Sequence, residues 1–109
     1  MTFEEYQQKA LRTARPHDAK DELMHLVLGL VGEAGEIAEK FKKWVRDLES
    51  DEAKLDKADL GKELGDVLWY VAVLAEYLEI NLDDIASKNI AKLADRQQRN
   101  VIKGSGDNR

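Results

Sequence analysis

A chain of 109 residues with 36% charged and 6% aromatic content and a single proline fits one domain with a modest core, of the all-α class. A net charge of −5 excludes broad electrostatic attachment to DNA or RNA, and the absence of cysteine excludes disulfides and thiolate metal sites. Met1-Thr2-Phe3-Glu4-Glu5 lacks the parts of a signal peptide, and no apolar run approaches the roughly 18–20 residues needed to cross a bilayer, so a cytoplasmic protein with no nucleic-acid or membrane partner is expected.

The periodicity predicts a first amphipathic segment from residue 3 to about 14, with Tyr6, Ala10 and Leu11 at helical spacing and Thr2 and Glu5 set as a capping box. Pro16 ends it, and Arg15-Pro16-His17-Asp18 reads as a connection. A long helix follows from about 20 to 48, with Leu23, Leu26, Val27, Leu30, Ala34, Ile37, Phe41, Trp44, Val45 and Leu48 on one stripe. Glu49-Ser50-Asp51-Glu52 reads as a loop. A third helix spans about 56 to 79, and its centre, Val67 to Ala75, is apolar nearly all round. Helices of that kind are covered on more than one side, which in so small a chain points to a second subunit. Asn81 caps a fourth helix from 82 to about 98, with Asp84 in its first turn. The polar, glycine-rich end, from about residue 100 to 109, is expected to be flexible. No internal repeat or second domain interrupts residues 1–109.

Two acidic phrases stand out, Gly32-Glu33-Ala34-Gly35-Glu36 and Lys62-Glu63-Leu64-Gly65-Asp66. At 100° per residue, Glu33 and Glu63 lie about 70° from the centres of their stripes, and Glu36 and Asp66 about 130°. Matching offsets let four carboxylates converge on one cleft if both stripes pack inward. Converged carboxylates raise one another's pKa, and a divalent cation removes that penalty. Oxygen-only donors suit Mg²⁺ or Mn²⁺, ions that bridge to substrate phosphates. The bland alternative, acids solvated at the edge of an amphipathic helix, fits either pair alone better than it fits both. Gly29, Gly32 and Gly65 stand nearby, and mid-helix glycine costs up to ~1 kcal/mol relative to alanine. Their presence implies that something approaches the backbone closely.

The longer words Gly29-Leu30-Val31-Gly32-Glu33-Ala34-Gly35-Glu36 and Glu63-Leu64-Gly65-Asp66-Val67-Leu68-Trp69-Tyr70, with Asn89-Ile90-Ala91-Lys92-Leu93 and Arg96, resemble the MazG-like all-α nucleoside triphosphate pyrophosphohydrolases. The likeness runs from about Leu26 to Arg96. It implies a four-helix bundle-like fold assembled as a homodimer or homotetramer. It implies cleavage of a nucleoside or deoxynucleoside triphosphate between the α and β phosphates, giving the monophosphate and pyrophosphate, as housecleaning of the nucleotide pool. By the same resemblance Glu33, Glu36, Glu63 and Asp66 are the Mg²⁺ ligands (Mn²⁺ being possible), while Lys92 and Arg96 hold phosphate oxygens with help from Asn89. The general base stays open between Glu36 and Glu39. Two other functions remain in view: a phosphoribosyl-ATP pyrophosphohydrolase-like enzyme, and a non-catalytic helical oligomerisation protein that binds nucleotide and metal. The complete acid set together with Lys92 and Arg96 weighs against the last.

Tyr70 follows Asp66 by one helical turn and shares its face, where it can stack on a base or ribose or simply pack at an interface. Trp44 and Trp69 read as packing residues, and His17 and His25 have no partner at metal-ligand spacing. Lys42 and Lys43 read as a solvated face. Arg99, Lys103 and Arg109 make the C-terminal stretch locally basic, either as a flap over the triphosphate or as a solvated tail. No Walker-type glycine loop is present.

Overall fold

Each helix begins at a side chain that can accept a backbone N–H or at a sharp reversal of the chain. The computed structural model describes residues 1–109. Thr2 accepts from the Glu5 N–H at 3.1 Å and starts α1 (Phe3–Ala10), which tightens into a 3₁₀ turn, Leu11–Thr13, ahead of Pro16. The first segment is therefore α-helical only as far as Ala10. α2 runs Glu22–Leu48 and stops where Glu49 and Ser50 take positive φ, 55° and 56°. The expected loop after it holds a 3₁₀ turn, Glu52–Lys54, initiated by the Asp51 carboxylate. Asp56 accepts from the Asp59 N–H at 3.0 Å and caps α3 (Lys57–Tyr77). Asn81 accepts from the N–H groups of Asp83 and Asp84, at 2.8 and 3.4 Å, and caps α4 (Leu82–Gln98).

α2 and α3 form an antiparallel pair. Gly29 lies against Tyr70 at one level, and Lys40 reaches Asp59 and Glu63 at another. α1 packs mainly on α3, and α4 touches α1 and α3. Gln7 ties these pieces together from a fully buried position. Its Nε2 donates to the Ile80 carbonyl at 2.9 Å, and its Oε1 accepts from the Leu82 N–H at 2.9 Å. That pairing satisfies the backbone where the chain turns from α3 into α4.

The core is small and lies at the end of the pair where α1 and α4 join it. Ala10, Leu26, Ala72, Val73 and Leu82 are buried, with Trp69, Tyr70, Tyr77 and Ile85 packed around them. The predicted α2 stripe is only partly realised. Leu26 is buried, whereas Leu23, Val27, Phe41, Val45 and Leu48 are exposed. The reason is geometric: one neighbouring helix covers one strip of α2, and nothing in this chain covers the rest. The accessible surface is 8054 Å², against about 6,100 Å² for a folded monomer of this mass. The radius of gyration is 16.9 Å, against about 13 Å for a compact domain of this length. No helix is long and apolar enough to cross a membrane.

Candidate functional site

The antiparallel register of α2 and α3 brings the two acidic phrases to the same level. Glu33 and Glu63 are half-buried between the helices, while Glu36 and Asp66 are exposed. This is the order that the helical projection gives. Carboxylate oxygens of Glu33, Glu36 and Glu63 all lie within 4.8 Å of one another. Asp66 stands outside that triplet and lines a cavity of about 390 Å³ with Glu33, Thr13, Trp69 and Tyr70.

The electrostatics of the triplet are uneven. Burial raises the Glu33 pKa, and the neighbouring charges of Glu36, Asp66 and Glu63 raise it further. Glu63 moves the other way, chiefly because Lys40 donates a hydrogen bond to it. The Lys40 ammonium reaches Glu63 Oε1 at 2.9 Å and also bonds the Asp59 carboxylate. Both Glu33 Oε2 and Glu63 Oε2 are buried without a hydrogen-bond partner. An unsatisfied buried carboxylate oxygen is costly in a folded protein. Two of them, converging with a third acid and with no His or Cys in the group, fit a hard divalent cation.

Two aromatic residues gather next to the acids. Tyr70 packs edge-on against Trp69, with ring centroids 5.0 Å apart. Trp69 Nε1 donates to the Ala10 carbonyl and to Thr13 Oγ1, which fixes its ring against the end of α1. Gly29 explains itself here: a β-carbon on it would lie 2.2 Å from Tyr70 Cε1. Gly32 and Gly65 do not meet the same expectation, because no atom of this chain lies within 4 Å of the β-carbon position at either. Both are exposed, so the close approach inferred from their presence is absent within one chain.

The cations named for phosphate sit on α4. Lys92 Nζ donates to Asp107 Oδ1 at 2.7 Å, and the nearly buried Arg96 guanidinium bonds both the Asp107 carboxylate, at 3.1 Å, and its backbone carbonyl. These contacts hold the Asp107 pKa below the usual carboxylate range, Lys92 contributing most. The chain end folds back through further bonds, Arg109 donating to the carbonyls of Val101, Ile102 and Gly106. Asn89 is exposed. Neither Lys92 nor Arg96 contacts any of the four acids. Glu39 pairs loosely with Lys42 at 3.5 Å and is not part of the triplet. Trp44 donates to the Asp51 carbonyl, His17 stacks edge-on against Tyr77, and His25 lies 3.4 Å from Glu22.

Thr13, Gln7 and Lys40 were not singled out by the sequence reading. Lys40 follows Glu36 by one helical turn, a spacing that places it on the acidic face and was available as a signal.

An all-α chain with a carboxylate-lined cleft between two antiparallel helices, and aromatic rings beside it, defines a class of small helical domains with a preformed acidic site. Residues 21–101 match the MazG nucleotide pyrophosphohydrolase domain, and the chain belongs to that family. It is 49% identical over 92 residues to Gene 37 protein of Mycobacterium phage L5, an alignment covering 84% of this chain and 81% of the phage protein. No solved structure is significantly similar.

Proposed function

We propose that this protein hydrolyses nucleoside or deoxynucleoside triphosphates between the α and β phosphates, releasing the monophosphate and pyrophosphate in the service of nucleotide-pool housecleaning. The observation that carries this reading is the meeting of Glu33, Glu36 and Glu63 within 4.8 Å, with two buried oxygens left unpartnered. Glu33, Glu36 and Glu63, with Asp66 at the edge, are the residues that would hold Mg²⁺, or Mn²⁺ in its place. A divalent ion held by these residues would offset triphosphate charge and would lower the pKa of a water.

The rest of the work falls to the side chains. Tyr70 and Trp69 offer ring faces and edges to the nucleoside in the cavity that Glu33 and Asp66 border. Lys92 and Arg96, with Asn89, take the phosphate oxygens, for which Asp107 is the present anionic partner. Glu36 is the better placed of the two candidate bases, since it belongs to the triplet and Glu39 does not.

Self-association is part of the proposal. Met24, Leu28, Val31 and Val45 are each more than half exposed and lie on one face of α2, with Gly35 and Ala38 between them. Their spacing of three and four residues is that of a helix–helix seam. A second copy of the chain across that seam gives a homodimer, and dimers can pair again as a tetramer.

The direct test is to incubate the pure protein with each common ribo- and deoxyribonucleoside triphosphate and Mg²⁺, and to quantify the products. Pyrophosphate and monophosphate in equal amounts are expected from at least one. Absence of pyrophosphate from all of them, or release of orthophosphate and a diphosphate, would overturn the assignment. Glu63→Gln is expected to abolish turnover while leaving the helical circular dichroism spectrum in place.

A further inference from the structure

Lys40 is the one cation in direct contact with the acidic triplet. It is held at three points of a small frame. On α2 it follows Glu36 by one turn, so it rises from the acidic face itself. On α3 it bridges Asp59 and Glu63, which are also one turn apart. It takes a single oxygen of Glu63, Oε1, at 2.9 Å. The other oxygen, Oε2, is buried and left without a partner.

The geometry points to Lys40 as a positioning residue for the metal, fixing the Glu63 carboxylate through one oxygen so that the other faces the cleft, with Asp59 anchoring the lysine. The inference rests on the metal-site reading given above. Asp59 matters for a second reason. Paired with it, the ammonium does not confront an incoming cation as an uncompensated positive charge. A carboxylate held through one oxygen also loses less rotamer freedom when the other takes up a cation. Outer partners that orient a ligand in this way typically contribute 10- to 100-fold to metal affinity.

Two physical effects predict opposite signs. If Lys40 were merely a stand-in cation, removing it would leave a more negative cluster and metal would bind more tightly. If it orients Glu63, removing it weakens binding. Mn²⁺ titrated into the metal-free full-length protein, with the free ion followed by electron paramagnetic resonance and no nucleotide present, separates them. Lys40→Met is expected to raise the Mn²⁺ dissociation constant about tenfold. Lys40→Arg should recover most of that loss, and Asp59→Asn should give a smaller loss in the same direction. Circular dichroism and melting in chelator check that each variant is folded. Should Lys40→Met not fold, Lys40→Gln takes its place, since it too removes the ammonium and keeps the two signs opposed. Unchanged or tighter Mn²⁺ binding in the folded variants overturns the inference while leaving the metal site standing. A wild-type protein with no saturable Mn²⁺ binding removes the metal-site reading and this inference with it.

Discussion

Gly29 shows how a single missing methyl group shapes the site. Mid-helix glycine weakens α2, yet a β-carbon there would meet the Tyr70 ring at 2.2 Å. Gly29→Ala therefore sets a helix-propensity gain of up to ~1 kcal/mol against an overpacking cost of about 1–3 kcal/mol. The clash should win, because the ring is confined beside Trp69. Net destabilisation in urea melts and a higher KM for nucleotide are expected, as Tyr70 turns away from the cavity it shares with Glu33 and Asp66.

Asp107 supplies a second prediction at this scale. Its folded pKa is depressed by Lys92 and Arg96, so its contribution is present above the unfolded value of about 3.9 and is lost as pH falls through the folded value. Wild type and Asp107→Asn should therefore differ in amide-exchange protection around residues 101–109 at neutral pH. The difference should close only below the ordinary carboxylate range. A gap that closes near pH 6 would mean that a different group controls the tail.

At the level of elements, Gln7 joins α1 to the turn between α3 and α4. Gln7→Leu keeps the size and apolar fit but leaves the buried Leu82 N–H without its acceptor. An unsatisfied buried donor costs about 1–3 kcal/mol, and a loss of that size is expected in chemical denaturation. The same residue shows what sequence patterning misses. α1 reads from its apolar positions, Tyr6 and Ala10, and a glutamine among polar neighbours gives no sign that it is the most buried side chain of its helix. The helices themselves were legible because caps and breaks are local: Thr2, Asn81 and Pro16 act within a turn of their own position. The acid pairs were legible because a helix converts spacing into direction, and the inner and outer members fall in the projected order. The partners of those acids were not. Lys40 with Asp59, and Trp69 with Thr13, join residues 19 and 56 positions apart. Such pairings are fixed by the register of α2 on α3 and by where α1 crosses, and neither is written in a local pattern.

Across the whole molecule, a surplus of accessible surface supports the proposed self-association. The chain exposes about 1,900 Å² more than a folded monomer of 12.4 kDa should. If two chains each buried that surplus, the interface would total about 3,800 Å², within the range of obligate homodimers. α2 offers the surface: Leu28 and Val31 are 63% and 64% exposed, and Gly35 and Ala38 lie further along the same face. Small residues there permit close approach of a second helix, and no atom of this chain lies within 4 Å of the β-carbon position at Gly32 or Gly35. Sedimentation velocity should accordingly give a dimer or a larger closed assembly. Val31→Asp, which places a charge at the centre of the seam, should lower the sedimenting mass toward 12.4 kDa and lower the melting temperature together with it. Activity should fall in the same variant even though Val31 is not among the acids, because α2 also carries Glu33 and Glu36 and loses its outer support. A wild-type protein that sediments as a monomer and still releases pyrophosphate would show that the exposed face of α2 is not an interface and that one chain suffices for the chemistry.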